Sequence, residues 1–219
     1  MILFEKSSSD IIDVRNTMYP SFAQMLVNSV KQIDCSYSTV YGFSYGNSNV
    51  EIDGDIYALK AGEFFSIPVR ENKPTFSTQS SVFIVVRMGF IGQHVIGKIE
   101  KTGRLSYIDG CSDTMLVYPP RFGDPSLNYL HFPSNINQSF HTHPSIRIGI
   151  VVDGEGYSTL QDKEIKLSTG CIFSLEEQEL HRFRTENTHM NIIAFHPDGE
   201  WGPTDENHTM LNRTYLAGK

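Results

Sequence analysis

Short runs of β-branched and aromatic residues recur along most of the chain, and glycine, asparagine, aspartate and proline separate them. This pattern predicts short β-strands joined by turns. The predicted strands cover residues 38–43, 50–59, 64–68, 81–88, 146–152, 164–167, 172–175 and 190–195. Many short strands with turns between them are typical of an antiparallel sandwich or barrel, so we predict an all-β fold.

One segment has a helical spacing instead. Its apolar residues lie three or four positions apart, at Phe22, Met25, Leu26 and Val30. This spacing would place them on one face of a helix, and Ser21 could serve as the N-cap. We therefore predict one short helix near residues 21–31.

The two halves of the chain resemble each other at an offset of 108 residues. The identical pairs are Gly46 with Gly154, Leu59 with Leu167, Gly62 with Gly170, Phe65 with Phe173 and Ser66 with Ser174. The offset is nearly half of the 219 residues and needs no gap. It indicates a duplicated β-unit, with a chance match as the alternative. The corresponding units are residues 1–110 and 111–219.

The composition leaves the predicted fold unchanged and argues against two classes of partner. Hydrophobic residues make up 39% and charged residues 20% of the chain, as in soluble globular proteins. The formal net charge of −7 argues against nucleic acid as a partner, because phosphate binding requires a basic face. It argues equally against an anionic membrane surface, and no apolar run approaches the roughly 18 residues that span a bilayer.

The cysteines and the N-terminus bear on location. Cys35, Cys111 and Cys171 are scattered and odd in number, which favours free thiols in a reducing compartment over a disulfide framework. The first residues lack the basic and then apolar pattern of a signal peptide. We therefore expect a cytoplasmic protein.

The candidate chemistry lies in the second half. His141 and His143 are two positions apart, so in an extended strand their side chains point the same way. His181 follows 38 residues later and could bring a third imidazole from another strand. With eight histidines in the chain, a chance pair of this kind is a real alternative, and the surrounding sequence decides.

That surrounding sequence resembles the cupin superfamily. The two histidines precede an apolar strand and the turn Gly154-Glu155-Gly156, which looks like the first cupin motif, and Gly170 opens a strand that leads to His181, which looks like the second. The resemblance covers residues 131–197 well and, through the repeat, extends weakly to residues 31–90. The chain therefore looks like a bicupin.

The resemblance implies a double-stranded β-helix, or jelly-roll, barrel in each half. It further implies that His141, His143 and His181 face the interior of the second barrel and hold a divalent metal ion, with Fe, Zn, Ni and Mn as the options. In the first half, Ile33, Cys35 and Lys73 fall on the positions of these histidines. The first barrel is therefore expected to lack a metal site.

One position departs from the family pattern. The first motif usually carries a glutamate three or four residues after its second histidine, and here Arg147 stands four residues after His143 instead. A cation close to a metal ion is repelled unless an anion lies between them. Arg147 is thus either a clamp for a substrate anion or the partner of a nearby acid, with Glu176, Glu177 and Glu179 as the candidates. Gln138 is a second, weaker candidate for substrate binding.

Two function classes remain open. The first is a metal-dependent enzyme acting on a small organic anion, with dioxygenase-type chemistry on Fe(II) favoured and isomerase or lyase chemistry next. A proton transfer there would need a base, for which Glu177, Glu179 and His196 are options. The second is a non-catalytic cupin that binds or senses a small molecule. A homodimer is an expectation from the family.

Overall fold

The computed structural model describes residues 1–4, 11–215 and 217. This part of the chain contains β-strands and two 3-10 helices, Ile108–Gly110 and Leu211–Arg213, and no α-helix. The strands are β1 (Ile2–Phe4), β2 (Ile11–Asp13), β3 (Ser21–Gln32), β4 (Ser38–Ser44), β5 (Ser48–Ile52), β6 (Asp55–Leu59), β7 (Glu63–Val69), β8 (Thr75–Met88), β9 (Val95–Lys98), β10 (Leu105–Ser106), β11 (Ser112–Val117), β12 (Ser126–Phe132), β13 (Arg147–Leu160), β14 (Glu164–Ser168), β15 (Ile172–Leu175), β16 (His181–Arg184) and β17 (Met190–His196). The predicted all-β fold is confirmed. None of the described helices is long and apolar enough to cross a membrane.

Each predicted strand overlaps an observed one, but residues 50–59 form two strands rather than one. β5 and β6 pair as an antiparallel hairpin around Asp53 and Gly54. Both turn residues have left-handed backbone angles, with φ of 55° and 86°. A two-residue turn of this kind matches the twist of the strands it joins, and Asp-Gly is a preferred sequence for it.

The predicted helix is wrong. The segment is the strand β3, which pairs with β8 along nearly its whole length. Ser21 therefore begins a strand and caps no helix, and its hydroxyl donates a hydrogen bond to the carbonyl of Tyr19 at 2.9 Å.

The apolar spacing in β3 was ambiguous for a physical reason. Phe22 and Leu26 face the interior of the first half, whereas Ala23 and Met25 face a core between the two halves. Because both faces of the strand are buried at its start, apolar residues occur at neighbouring and at four-residue spacings. A separation of four is even, so it places residues on one face of a strand as well as of a helix.

The strands form two antiparallel sheets with the same order. The first runs β2-β3-β8-β4-β7-β9, and the second runs β11-β12-β17-β13-β15-β1 with β10 beside β11. The correspondence strand by strand is what a duplicated unit produces. The edge position beside β7 is filled by β9, and the equivalent position beside β15 is filled by β1 from the start of the chain. Residues 2–4 and 105–106 thus pair in the second sheet, and the unit boundary at residue 110 stays a prediction.

One glycine in each half packs in a similar way. A Cβ on Gly42 would lie 2.5 Å from Cζ of Phe65, and a Cβ on Gly149 would lie 2.3 Å from Cζ of Phe173. The two phenylalanines are the pair that the 108-residue offset aligns. In both halves the glycine leaves room for a phenyl ring on the neighbouring strand.

The core has three parts. One fills the interior of each half, and the third lies between the two sheets. In this third core the rings of Tyr41 and Phe195 are 5.1 Å apart, and each comes from a different half. One face of the second sheet therefore packs against the first half, and its other face lines the interior that carries the candidate site.

Candidate metal centre

The structure brings the three predicted histidines together. His141 and His181 form an isolated antiparallel bridge, in which each backbone N–H donates to the other residue's carbonyl, at 2.9 and 3.0 Å. His181 is the first residue of β16, but the segment with His141 and His143 lies outside the named strands, between β12 and β13. The paired backbone fixes the separation of His141 and His181, and His143 follows two residues along the extended segment.

The imidazole rings form a compact triangle. The ring centroids are 4.5 Å apart for His141 and His181, and 5.1 Å apart for each of the pairs that include His143. One ring nitrogen from each residue lies within 4.8 Å of the others. His181 is fully buried and the other two are half-buried. Three nitrogen donors on one side of a point leave the other side open to further ligands.

Hydrogen bonds orient two of the rings. Nδ1 of His141 lies 2.9 Å from the carbonyl of Ser139, and Nδ1 of His181 lies 2.9 Å from the carbonyl of Glu179. Because a carbonyl only accepts, each Nδ1 carries the proton and each Nε2 presents a lone pair. Nε2 of His181 is buried and has no hydrogen-bond partner. Metal-binding histidines are commonly held by a backbone carbonyl in this way.

The surroundings keep the imidazoles of His143 and His181 neutral. Burial lowers the pKa of His143 to about 3, and the charge of Arg147 acts in the same direction. Burial also lowers the pKa of His181 to about 4. A neutral imidazole is the form that binds a metal ion, so no proton has to be displaced near neutral pH. Neutral nitrogen donors suit Zn, Fe and Ni, and the residues present fit a divalent transition metal.

The first half lacks these donors at the equivalent positions. Ile33 and Cys35 are buried in its interior core. Lys73 lies at the surface and pairs with Asp34 at 3.0 Å. Within residues 1–4, 11–215 and 217, the three histidines are the one group of at least three histidine, cysteine or acidic side chains with metal-binding spacing.

A cavity in the second half opens beside the histidines. It encloses about 530 Å³ that is not filled by protein atoms, part of it open to solvent, and His141 and His143 line it. Most of its wall is apolar and comes from Leu130, Phe132, Phe173, Leu175, Phe183 and Ile192. Apolar walls with a few polar groups are typical of small-molecule sites.

Arg147 lines the same cavity but pairs with an unforeseen acid. Its Nη2 donates to Glu200, and its Nη1 donates to the carbonyl and the hydroxyl of Ser145, at 2.9 and 2.6 Å. The guanidinium is buried, and its Nε has no hydrogen-bond partner. The interpretation of an ion pair with Glu176, Glu177 or Glu179 is therefore wrong, because the partner lies 53 residues away along the chain. Clamping a substrate anion stays a prediction.

Gln138 also lines the cavity, but its amide makes hydrogen bonds within the protein. Its Nε2 donates to Sγ of Cys111 at 3.4 Å, and its Oε1 accepts from the backbone N–H of Phe183 at 3.3 Å. These contacts hold the segment before the histidines against β16. Substrate binding by Gln138 stays a prediction.

Sequence reasoning missed two polar residues of the cavity wall, Asp113 on β11 and Asn128 on β12. His196, which the sequence offered as an optional base, lies at the end of β17 and lines the cavity as well. Burial lowers the pKa of His196 far below its ordinary value and raises that of Asp113. The available signal was an asparagine inside the apolar run of β12, because a polar residue on the inward face of a barrel strand needs a partner there.

Comparisons with known proteins agree with this fold. Residues 129–202 match the family model of the AraC-like ligand-binding domain. A Cupin 2 conserved barrel domain protein from Leptotrichia buccalis is similar in structure, with a TM-score of 0.61 and 14% identity over 86% of this chain and 89% of that one. Bacillus subtilis oxalate decarboxylase, whose structure was studied for its Mn(II) centres, has a TM-score of 0.59 and 10% identity over 92% of this chain and 78% of its own.

A third similar structure is salicylate 1,2-dioxygenase from Pseudoaminobacter salicylatoxidans, a mutant form in complex with gentisate. It has a TM-score of 0.60 and 10% identity over 80% of this chain and 67% of its own. No curated protein matches the sequence significantly. The similar structures show that this chain has the cupin fold, which supports the resemblance drawn from the histidine motifs.

Proposed function

We propose that this protein is a metal-dependent enzyme that binds a divalent ion through His141, His143 and His181 and acts on a small organic anion. The observation that carries the proposal is the set of three clustered imidazoles, one with a buried and unpaired Nε2, at the wall of a mostly apolar cavity. A lone pair left buried without a partner is costly, and a metal ion would satisfy it.

The proposed reaction class is of dioxygenase type on Fe(II), with isomerase or lyase chemistry as the next option. A divalent metal in this position supplies Lewis-acid chemistry and, in the case of iron, redox chemistry. The residues of this chain would bind and orient the substrate. Arg147 would attract an anionic group, and the phenylalanines would exclude water from the cavity. The similar structures include an oxalate decarboxylase and a salicylate dioxygenase, which supports an organic acid as the substrate class.

A second candidate is a cupin that binds a small molecule without reaction. The match of residues 129–202 to a ligand-binding domain family favours it. The same cavity would serve, because binding needs the apolar walls and the cation but no catalytic base.

Metal content tests the site. Protein purified without an affinity tag is analysed for Fe, Zn, Ni and Mn, together with His141→Ala, His181→Ala and, as the control at an exposed position, His208→Ala. We expect about one metal equivalent per chain in the wild type and the control, and a loss of about tenfold or more in the two site variants. Wild-type protein with almost no metal, whose content does not change on substitution, would refute the proposal.

Oxygen uptake separates the two candidates. The Fe(II)-loaded protein is mixed with a panel of small thiols, 2-oxo acids and aromatic hydroxy acids, and consumption of dioxygen is followed. An enzyme gives uptake with one substrate class, which His181→Ala abolishes. Binding of an acid without uptake or any change in the acid favours the binding protein.

A further inference from the structure

Unsatisfied polar atoms concentrate around one cavity. Among the described residues, eight buried side-chain nitrogen or oxygen atoms have no hydrogen-bond partner. Three of them belong to residues that line the cavity, namely Asp113, Asn128 and Arg147, and a fourth is Nε2 of His181 in the adjoining histidine cluster. Buried polar groups normally have hydrogen-bond partners, so a cluster of unpartnered polar atoms at one cavity indicates a ligand-binding site.

Asp113 and Asn128 present two acceptors side by side. Nδ2 of Asn128 donates to Oδ2 of Asp113 at 3.0 Å, across the adjacent strands β11 and β12. This contact orients the amide, because only its nitrogen can donate to the carboxylate. Oδ1 of Asp113 and Oδ1 of Asn128 are then left as acceptors without donors. Asn128 is only 6% exposed, so bulk water does not serve its side chain.

At Arg147 the cavity wall offers a hydrogen-bond donor and a cation rather than acceptors. Arg147 contributes an unpaired N–H donor at Nε and a buried positive charge. The three histidines would add the charge of a metal ion. An anionic group is attracted to this part of the cavity, and a hydrogen-bond donor is attracted to Asp113 and Asn128.

We infer that Asp113 and Asn128 form a subsite for an ammonium or hydroxyl group on the same ligand whose carboxylate binds at Arg147 and the metal centre. The ligand class is then a small amino acid or hydroxy acid, rather than a simple carboxylic acid. The inference rests on the proposed function, because it takes the anion site as given. It adds the second point of recognition, and with it the specificity of the site.

The test uses a matched series of four-carbon acids on the full chain loaded with Zn²⁺, which excludes turnover by redox chemistry. Butyrate is compared by titration calorimetry with 2-, 3- and 4-hydroxybutyrate and with 2-, 3- and 4-aminobutyrate. In the wild type, at least one substituted acid is expected to bind about tenfold or more tightly than butyrate, because a donor on the ligand would satisfy the buried acceptors of Asp113 and Asn128. The position of the substituent that binds best reports the distance between the two subsites.

Two variants assign the preference to these residues. The double variant Asp113→Leu/Asn128→Leu replaces both partners by apolar groups of similar shape, a change that folded proteins tolerate better than removal of one partner. It is expected to reduce the preference over butyrate to less than about threefold and to leave butyrate affinity within about twofold. Asp113→Asn removes the charge alone, so it should weaken the amino acids more than the hydroxy acids.

The outcomes are separable. Equal affinities for all seven acids in the wild type, or an unchanged preference in the double variant, would overturn the inference. The proposed function stands in that case if the histidine variants still lose the metal. If the wild-type protein binds neither butyrate nor metal, both the inference and the proposed function are refuted. Circular dichroism and metal content of the double variant confirm that its fold and histidine site are intact.

Discussion

The metal-free protein should lose stability as the pH falls from 7.5 to 5, and His181 should account for much of the loss. Its pKa is about 4 in the folded chain and about 6.5 when unperturbed. At a pH between these two pKa values, the imidazole of His181 is mostly protonated in the unfolded chain and mostly neutral in the folded chain. The unfolded state therefore binds more protons, and the free energy of unfolding rises with pH across this window and is lost as the pH falls through it.

The magnitude follows from the two pKa values. The full contribution of a shift from 6.5 to about 4 is about 3 kcal/mol, which is reached below the folded pKa. At pH 5 the folded imidazole is still mostly neutral, and the loss relative to pH 7.5 is about 2 kcal/mol for this one group. His143 and His196 are shifted in the same direction, so the whole protein should lose more than His181 alone.

Urea unfolding of chelator-treated protein at pH 7.5 and pH 5 measures the effect. His181→Gln removes the titrating group, and its loss between the two pH values should be about 2 kcal/mol smaller than that of the wild type. His208→Gln, at an exposed position, is the control and should keep the wild-type difference. If wild type and His181→Gln lose the same free energy, the buried neutral imidazole does not describe the folded state. Added Zn²⁺ should widen the loss, because a metal ion binds the neutral form.

Three further predictions follow from other contacts. Glu200→Gln frees Arg147 from its carboxylate partner, so butyrate affinity should rise about twofold to fivefold in calorimetry; an unchanged affinity would show that Arg147 does not meet the anion. Gly149→Ala places a methyl group 2.3 Å from Cζ of Phe173 and should lower the free energy of unfolding by about 3 kcal/mol, measured in urea. Gly54→Ala is the comparison, since its positive φ costs about 1 kcal/mol but nothing lies near the new methyl group, and an equal loss in both variants would contradict the packing argument. The three cysteines are free and buried, so a thiol reagent should label almost none in the native protein and all three in urea; rapid native labelling would contradict their burial.

The sequence was sufficient for the fold wherever apolar residues are buried on a recognisable face. β15 was predicted with its observed bounds, since all four of its residues are buried and a glycine precedes it. β13 was predicted to end at residue 152 but continues to Leu160, because its second half alternates buried and exposed positions and contains polar residues. β11 and β12 were missed. Partly polar strands lack the continuous apolar run on which the prediction depended.

The histidine cluster could be predicted from its motif, but its surroundings could not. His141 and His143 lie close in sequence, and the glycine before β15 marks the segment that leads to His181. The partner of Arg147 lies in an irregular segment after β17, for which local sequence gives no spacing rule. Asp113 and Asn128 meet only through strand pairing, which a single sequence does not reveal.

The position of β1 has a consequence for how the chain folds during synthesis. Ile2–Phe4 are made well before their hydrogen-bonding partners in β15, which follow about 170 residues later. At about 5–20 residues per second, that is a wait of roughly ten seconds or more. During this time the strands of the first sheet can pair with one another, with β9 at the edge, while β1 stays unpaired. The sheet that carries the histidine barrel is therefore completed only after β15 has been made, when the much earlier β1 pairs with it. Removing residues 2–4 should expose the edge of β15 to pairing with other molecules.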